Sequence, residues 1–101
     1  MGRQHRIKYD YYVYQILKDY CAENPKITVE TLLGYKCTVT NAYILSYVPN
    51  KDVLFGDIEG PDCGPKDRVT IYPEGDAHIS RQAMLGSEYI EVGTAYIEWE
   101  K

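Results

Sequence analysis

The chain has 101 residues, 45% of them hydrophobic, and a formal net charge of −4. This length suits a single domain spanning 1–101, and the composition is that of a chain that folds rather than of a disordered one. No apolar run approaches the ~18 residues of a membrane span, and none follows the basic start as it would in a signal peptide. We therefore expect a soluble cytoplasmic protein with no membrane partner.

Positive charge is concentrated at the start of the chain, where Arg3, Arg6 and Lys8 lie in a segment, 1–8, that we expect to be a flexible basic arm. The rest of the chain is acidic and would repel the phosphates of a nucleic acid. Direct nucleic-acid binding is therefore not expected, whereas a protein with a basic surface would be a suitable partner.

The cysteines do not form a recognisable framework. Cys21, Cys37 and Cys63 are an odd number at wide spacing, and the chain has only two histidines. A disulfide-stapled secreted domain normally has an even number of cysteines, and a structural zinc site normally has close pairs such as C-x-x-C. We therefore expect reduced thiols, no metal site and no cofactor.

The N-terminal third of the chain carries the main helical pattern. After Asp10, a suitable N-cap, apolar residues recur at helical spacing until Asn24-Pro25 ends the helix. Two shorter helices are predicted over 29–33 and 81–85, and each is followed by a glycine. The apolar face of the main helix comprises Val13, Ile16, Leu17, Tyr20 and Cys21.

Most of the remaining chain alternates apolar and polar residues with the period of two that is typical of half-buried strands. This pattern predicts an α+β fold class. We expect a mainly antiparallel sheet of about five to seven strands, with the main N-terminal helix packed on it and one or two short helices. The strands predicted before the C-terminal stretch cover 4–9, 36–40, 43–47, 53–59 and 68–72.

The last fifteen residues, 87–101, contain two alternating stretches whose phase slips at Gly93-Thr94. A tight hairpin turn at these two residues is the favoured interpretation, and one long strand with a glycine bulge is the alternative. In the hairpin, one face is apolar and ends at Trp99, which we expect to pack against the main helix. That face consists of Ile90, Val92, Ala95, Ile97 and Trp99, and the opposite face carries Tyr89, Glu91, Tyr96 and Glu98.

The tyrosine-glutamate face is the candidate partner-binding surface. The chain has eleven tyrosines, a residue type enriched at interfaces because it combines a large contact area with a polar hydroxyl. Tyr89 lies diagonal to Tyr96 in the hairpin, and Glu91 and Glu98 flank them, which favours a basic partner such as a nucleic-acid-binding protein. We therefore expect a small acidic protein-binding module, of the kind that phages and plasmids use as inhibitors in the host cytoplasm. A homodimer would form through the free edge of the hairpin.

Two alternatives stay open. The chain could bind a small molecule or nucleotide between subunits, where tyrosines stack on a base and Arg68 or Arg81 meets a phosphate. A Cys-dependent enzyme, with Cys63 as nucleophile, His78 as base and Asp76 orienting that base, is a less favoured hypothesis because nothing near Cys63 marks an oxyanion hole.

Overall fold

A computed structural model describes residues 4–20, 25–48, 51–61, 63–83 and 86–100. In chain order these residues form β1 (Gln4–Lys8), α1 (Tyr11–Tyr20), β2 (Lys26–Thr31), β3 (Lys36–Val48), β4 (Lys51–Glu59), β5 (Asp67–Ile71), β6 (Asp76–Ala83) and β7 (Gly86–Glu100). The described part of the chain is therefore mostly β-structure with one short helix. It contains no helix with the length and apolarity that crossing a membrane requires.

Six of these strands close into an antiparallel barrel. Hydrogen-bonded neighbours follow the order β7-β2-β3-β4-β5-β6, and β6 pairs in turn with β7. Strand β7 makes this closure geometrically feasible, because its 15 residues are long enough to pair with three strands. Its residues 86–94 pair with β6, 93–98 with β2 and 96–100 with β1. Residues 4–8, part of the predicted flexible arm, thus form a strand alongside β7.

The predicted α+β class is wrong, because the helix does not cover a sheet. Among the described side chains of α1, only Leu17 is buried, and Ile16 of the predicted apolar face is 55% exposed. The predicted helix over 29–33 instead lies in β2 and the turn after it, and residues 81–83 of the other predicted helix lie in β6. Strands β3 and β7 pair with both edges of β2, and its β-branched residues favour the extended conformation.

The predicted terminal hairpin is also wrong, because β7 runs through Gly93 without turning. Gly93 pairs with Thr31 on β2 and with Ala77 on β6. The register instead shifts between Ile79 and Ser80, where β7 contains one extra residue. One long strand with a bulge, the alternative interpretation, therefore describes this stretch, although the bulge precedes the glycine.

The homodimer prediction depends on a free edge of that hairpin. No hairpin forms within β7: its residues 93–98 pair with β2 along one edge, whereas β6 and then β1 pair along the other edge. The premise of the homodimer is therefore wrong, and we withdraw it.

Aliphatic side chains that alternate along each strand fill the barrel interior. Val69 and Ile71, which the sequence places on one face of β5, are both 0% exposed. Tyr9 and Leu17 join this core, and Trp99 packs against it while its ring stacks on that of His5 with 5.0 Å between centroids. The core also contains Ile27, Val29, Cys37, Val39, Leu54, Ile58, Ala77, Ile79, Ala95 and Ile97.

An ion pair anchors the loop between β4 and β5 to β6. Asp67 is 1% exposed, and its Oδ1 accepts a hydrogen bond from Nε of Arg81 at 2.9 Å. Its Oδ2 accepts a second hydrogen bond from the backbone N–H of Gly64 at 2.8 Å. The hydrogen bond from Arg81, more than any other contact, holds the pKa of the Asp67 carboxyl below its usual value of 3.8.

Candidate functional site

A row of outward-facing side chains crosses strands β3 to β6. The register places Tyr43 opposite Phe55, Phe55 opposite Thr70 and Thr70 opposite His78. Paired residues point to the same face of a sheet, and successive residues of a strand point to opposite faces. Because Val69 is buried in the core, its neighbour Thr70 and the rest of this row lie on the outer wall of the barrel.

Beside this row is a groove of about 230 Å³, which we call the outer-wall groove; its lining consists of Leu45, Val53, Phe55, Thr70 and Tyr72. Val53 is paired with Leu45 on the outer wall and yet is only 4% exposed, so it forms the floor. Tyr43 stands next to the groove with 52% of its surface exposed. The barrel therefore presents a concave, mainly apolar surface on its outside.

Edge-to-face contacts fix the rings around the outer-wall groove. The ring centroids of Tyr43 and Phe55 are 5.7 Å apart with an interplanar angle of 63°. Those of Tyr72 and His78 are 4.8 Å apart with an angle of 66°. This geometry brings the positive edge of one ring to the negative face of the other, which is the preferred arrangement of aromatic pairs. The walls of the groove are thus positioned without a ligand.

A β-bulge in β3 turns Tyr43 and Leu45 outward. Thr40 pairs with Asp57 and Tyr43 with Phe55, so two residues of β3 lie opposite the single residue Gly56 of β4. Asn41 in this bulge has a left-handed φ of 51°. A Cβ on Gly56 would lie 2.9 Å from the carbonyl oxygen of Thr40, so the bulge needs a glycine there.

The sequence carries a signal for this site, but the same pattern also fits core residues. The alternation of Tyr43, Leu45 and Tyr47 is visible, and so is an irregularity at Asn41-Ala42. The alternation predicts that these side chains share a face, but the bulge decides that Tyr43 and Leu45 face outward. Apolar residues at such spacing are normally core residues, and the site was therefore missed.

Exposed carboxylates lie beside the outer-wall groove, next to Tyr72. Nε of Arg68 is 3.0 Å from Oδ1 of Asp57, and the side-chain amide of Asn41 donates to Oδ2 of the same carboxylate at 3.0 Å. The positive charge of Arg68 is thereby compensated. Glu74 follows Tyr72 by two residues, Asp76 lies two residues before His78 and therefore on the same outer face of β6, and both residues are exposed.

The structure describes two of the four predicted partner-binding residues in full. The carboxylate of Glu98 is 3% exposed, with Nζ of Lys36 at 2.6 Å and Nε of Arg6 at 3.5 Å from Oε1. The guanidinium of Arg6 also lies over the ring of Tyr96, 3.7 Å from its centroid, and pairs with Glu30. The charge of Glu98 is therefore neutralised within the chain, and little of it is offered to a partner.

The other two predicted residues lie on the same long strand. Tyr89 pairs with Ser80 and Glu91 with Ile79, but the side chains of Tyr89 and Glu91 are outside the described residues. The structure does not test the predicted four-residue surface, which stays a prediction.

The residues of the hypothetical Cys-dependent site have different neighbours. Sγ of Cys63 lies 3.7 Å from Sγ of Cys37, and Cys63 packs against the core. His78 instead belongs to the outward row, with its ring against Tyr72, and Asp76 pairs with Thr94 at the start of β6. In the described part of the chain, no three His, Cys, Asp or Glu side chains are grouped closely enough to hold a metal ion.

Comparison with known proteins finds no family model, no curated protein and no solved structure that matches this chain. The prediction of an inhibitor and the prediction of a phage or plasmid origin therefore have no support, and we withdraw both. Chemically, the lining of the outer-wall groove can enclose an apolar side chain, and the exposed carboxylates near it can pair with cations next to that side chain.

Proposed function

We propose that this chain is a protein-binding module whose outer-wall groove receives an apolar side chain of a basic partner protein. The observation that carries the proposal is the groove itself: an almost fully buried valine floor, with Phe55 and Tyr72 beside it, on the outside of a closed barrel. Concave apolar surface with fixed aromatic rings is typical of sites where a partner inserts an anchor residue.

The negative charge of the chain indicates the chemistry of the partner. The chain has a net charge of −4, Arg68 is paired with Asp57, and the exposed residues Glu74 and Asp76 lie beside Tyr72 at the groove. An anionic nucleic-acid backbone would be repelled, whereas Lys or Arg residues flanking an apolar anchor would be attracted. The expected occupant is therefore a protein segment with one large apolar residue between basic residues.

The test measures binding of labelled short peptides by fluorescence anisotropy. One panel carries a Leu, Phe or Trp anchor flanked by Lys and Arg, and a matched panel carries the same anchors flanked by Asp and Glu. Thr70→Lys places a cation in the groove, and Thr38→Lys places the same cation elsewhere on the outer wall, where Thr38 pairs with Thr28 and Glu59. Both threonines are partly exposed, so the two variants are closely matched.

We expect the basic panel to bind more tightly than the acidic panel and to lose affinity as salt concentration rises. Thr70→Lys should weaken binding at least tenfold, and Thr38→Lys should leave it within about twofold, because only the first alters the groove. Equal binding of the two panels, or equal loss in the two variants, would contradict the proposal. Binding of a nucleotide that Thr70→Lys abolishes would assign the groove to a small molecule instead.

A further inference from the structure

Two thiols that are distant in sequence lie side by side in the fold. Sγ of Cys37, on β3, is 3.7 Å from Sγ of Cys63, in the loop between β4 and β5. Cys37 is 0% exposed, whereas Cys63 is partly exposed. We infer that Cys37 and Cys63 form a redox-active pair that a low-molecular-weight disulfide converts into an intramolecular disulfide bond.

The backbone around Cys63 is already held against Cys37. The N–H of Cys63 donates to the carbonyl of Gly60 at 3.1 Å, and the N–H of Asp67 donates to the carbonyl of Gly64 at 3.1 Å. Gly60 packs so closely on Cys37 that a Cβ at Gly60 would lie 2.9 Å from its sulfur. The two sulfurs, 3.7 Å apart, need to approach by only about 1.7 Å to reach the ~2.05 Å of a disulfide.

An oxidant can reach the pair from the Cys63 side. Cys63 lines a cleft of about 270 Å³, whose other lining residues are Asp57, Ile58, Glu59, Gly60, Gly64 and Pro65. Cys37 has no exposed surface of its own. Reaction therefore begins at Cys63, and Cys37 acts as the resolving thiol.

The chemistry is thiol–disulfide exchange in two balanced steps. The deprotonated sulfur of Cys63 attacks the small disulfide RS–SR, which forms the mixed disulfide and releases one thiolate RS⁻. The deprotonated sulfur of Cys37 then attacks the Cys63 sulfur and releases the second RS⁻. The protein gives up two electrons and two protons, and the small disulfide becomes two thiols.

The resulting bond fastens the loop after β4 to the barrel wall. It joins positions 26 residues apart, so it also restricts the unfolded chain. We expect the melting temperature of the oxidised protein to exceed that of the reduced protein by about 10 °C.

The test uses a Cys21→Ser variant, so that Cys37 and Cys63 are the two thiols left. Oxidised glutathione is the oxidant, dithiothreitol gives the reduced reference, and the readouts are intact mass, thiol titration and melting temperature. Trypsin separates Cys37 and Cys63 into peptides 37–51 and 52–66, because Lys36, Lys51 and Lys66 bound them. We expect a loss of about 2 Da, no titratable thiol and a disulfide-linked pair of these peptides.

Adding Cys63→Ser to this variant is the control for the thermal shift. It removes a partly exposed sulfur, so the protein should fold and melt near the reduced reference whether or not oxidant is present. A glutathione adduct that persists on Cys63 without transfer to Cys37 would overturn the inference. An oxidised protein that carries the linked peptides but melts no higher than the reduced protein would overturn the locking of the loop.

Discussion

Gly93→Ala places a methyl group where β7 passes very close to β2. The added Cβ would lie 2.7 Å from the carbonyl oxygen of Glu30, 2.9 Å from Cγ1 of Val29 and 3.2 Å from the carbonyl carbon of Glu30. The shortest of these distances is about 0.7 Å below the 3.4 Å at which ordinary contact begins. Because the obstructing atom belongs to the backbone of a paired strand, β2 has to move away from β7.

The expected cost follows from this overlap. Overpacking a well-packed site by one carbon costs about 2 kcal/mol, within a range of roughly 1–3 kcal/mol. For a domain of this length, about 2 kcal/mol lowers the melting temperature by roughly 10 °C. The measurement is thermal unfolding followed by circular dichroism, supported by urea unfolding at 25 °C.

Gly64→Ala is the matched control. Its Cβ would meet only Asp67 and Arg81 atoms at 3.8–3.9 Å, and Gly64 is not among the residues with positive φ. This variant should be neutral or slightly more stable than the natural protein, because alanine restricts the unfolded chain. If Gly93→Ala melts like Gly64→Ala, β2 does not pass Gly93 at the observed distance and the barrel is not closed as described.

Three further predictions concern single side chains. The folded-state pKa of Asp67 is lowered, so the contribution of its carboxylate to stability is present above pH 3.8 and is lost as the pH falls through the folded-state pKa. In a plot of unfolding free energy against pH, Asp67→Asn should flatten this acidic part of the curve. Burial raises the pKa of the Tyr9 phenol above its ordinary value of 10.0, so stability should fall as pH rises beyond 10, and Tyr9→Phe should reduce this fall, measured by urea unfolding at several pH values. Trp99 packs against the core and stacks on His5, so its native fluorescence should be blue-shifted. Because Trp99 is only partly buried, Trp99→Ala should lower the free energy of unfolding by about 3 kcal/mol, the low end of the range for tryptophan truncation. Native emission like that of free indole in water would refute this placement.

Local features of the fold were predictable because short-range chemistry sets them. Asp10 begins the helix as predicted, since its Oδ1 accepts hydrogen bonds from the backbone N–H groups of Tyr12 at 2.7 Å and Val13 at 3.4 Å. The alternation in β5 correctly places Val69 and Ile71 on one buried face. Each of these features depends on residues a few positions apart.

The candidate site was not predictable in the same way. The alternation of Tyr43 and Leu45 resembles that of core residues, and only the pairing with β4 reveals that the bulge turns them outward. Glu98 is the opposite case, in which the fold buries a side chain that the sequence places on the surface. Its position predicts a solvent-facing carboxylate, but Lys36 and Arg6, which lie far from it in sequence, cover and neutralise it.

The sequence by itself determined that most of the chain is extended, where α1 begins and which residues of β5 share a face, because these follow from side-chain period and capping. The tertiary structure alone decided that the sheet closes. Residues 29–31 are extended because β3 and β7 pair with both edges of β2, and β7 replaces a hairpin because β2, β6 and β1 all pair with it. An apolar–polar alternation with a period of two indicates that side chains share a face of a strand. Strand partners distant in sequence decide whether that face points into the barrel or out of it.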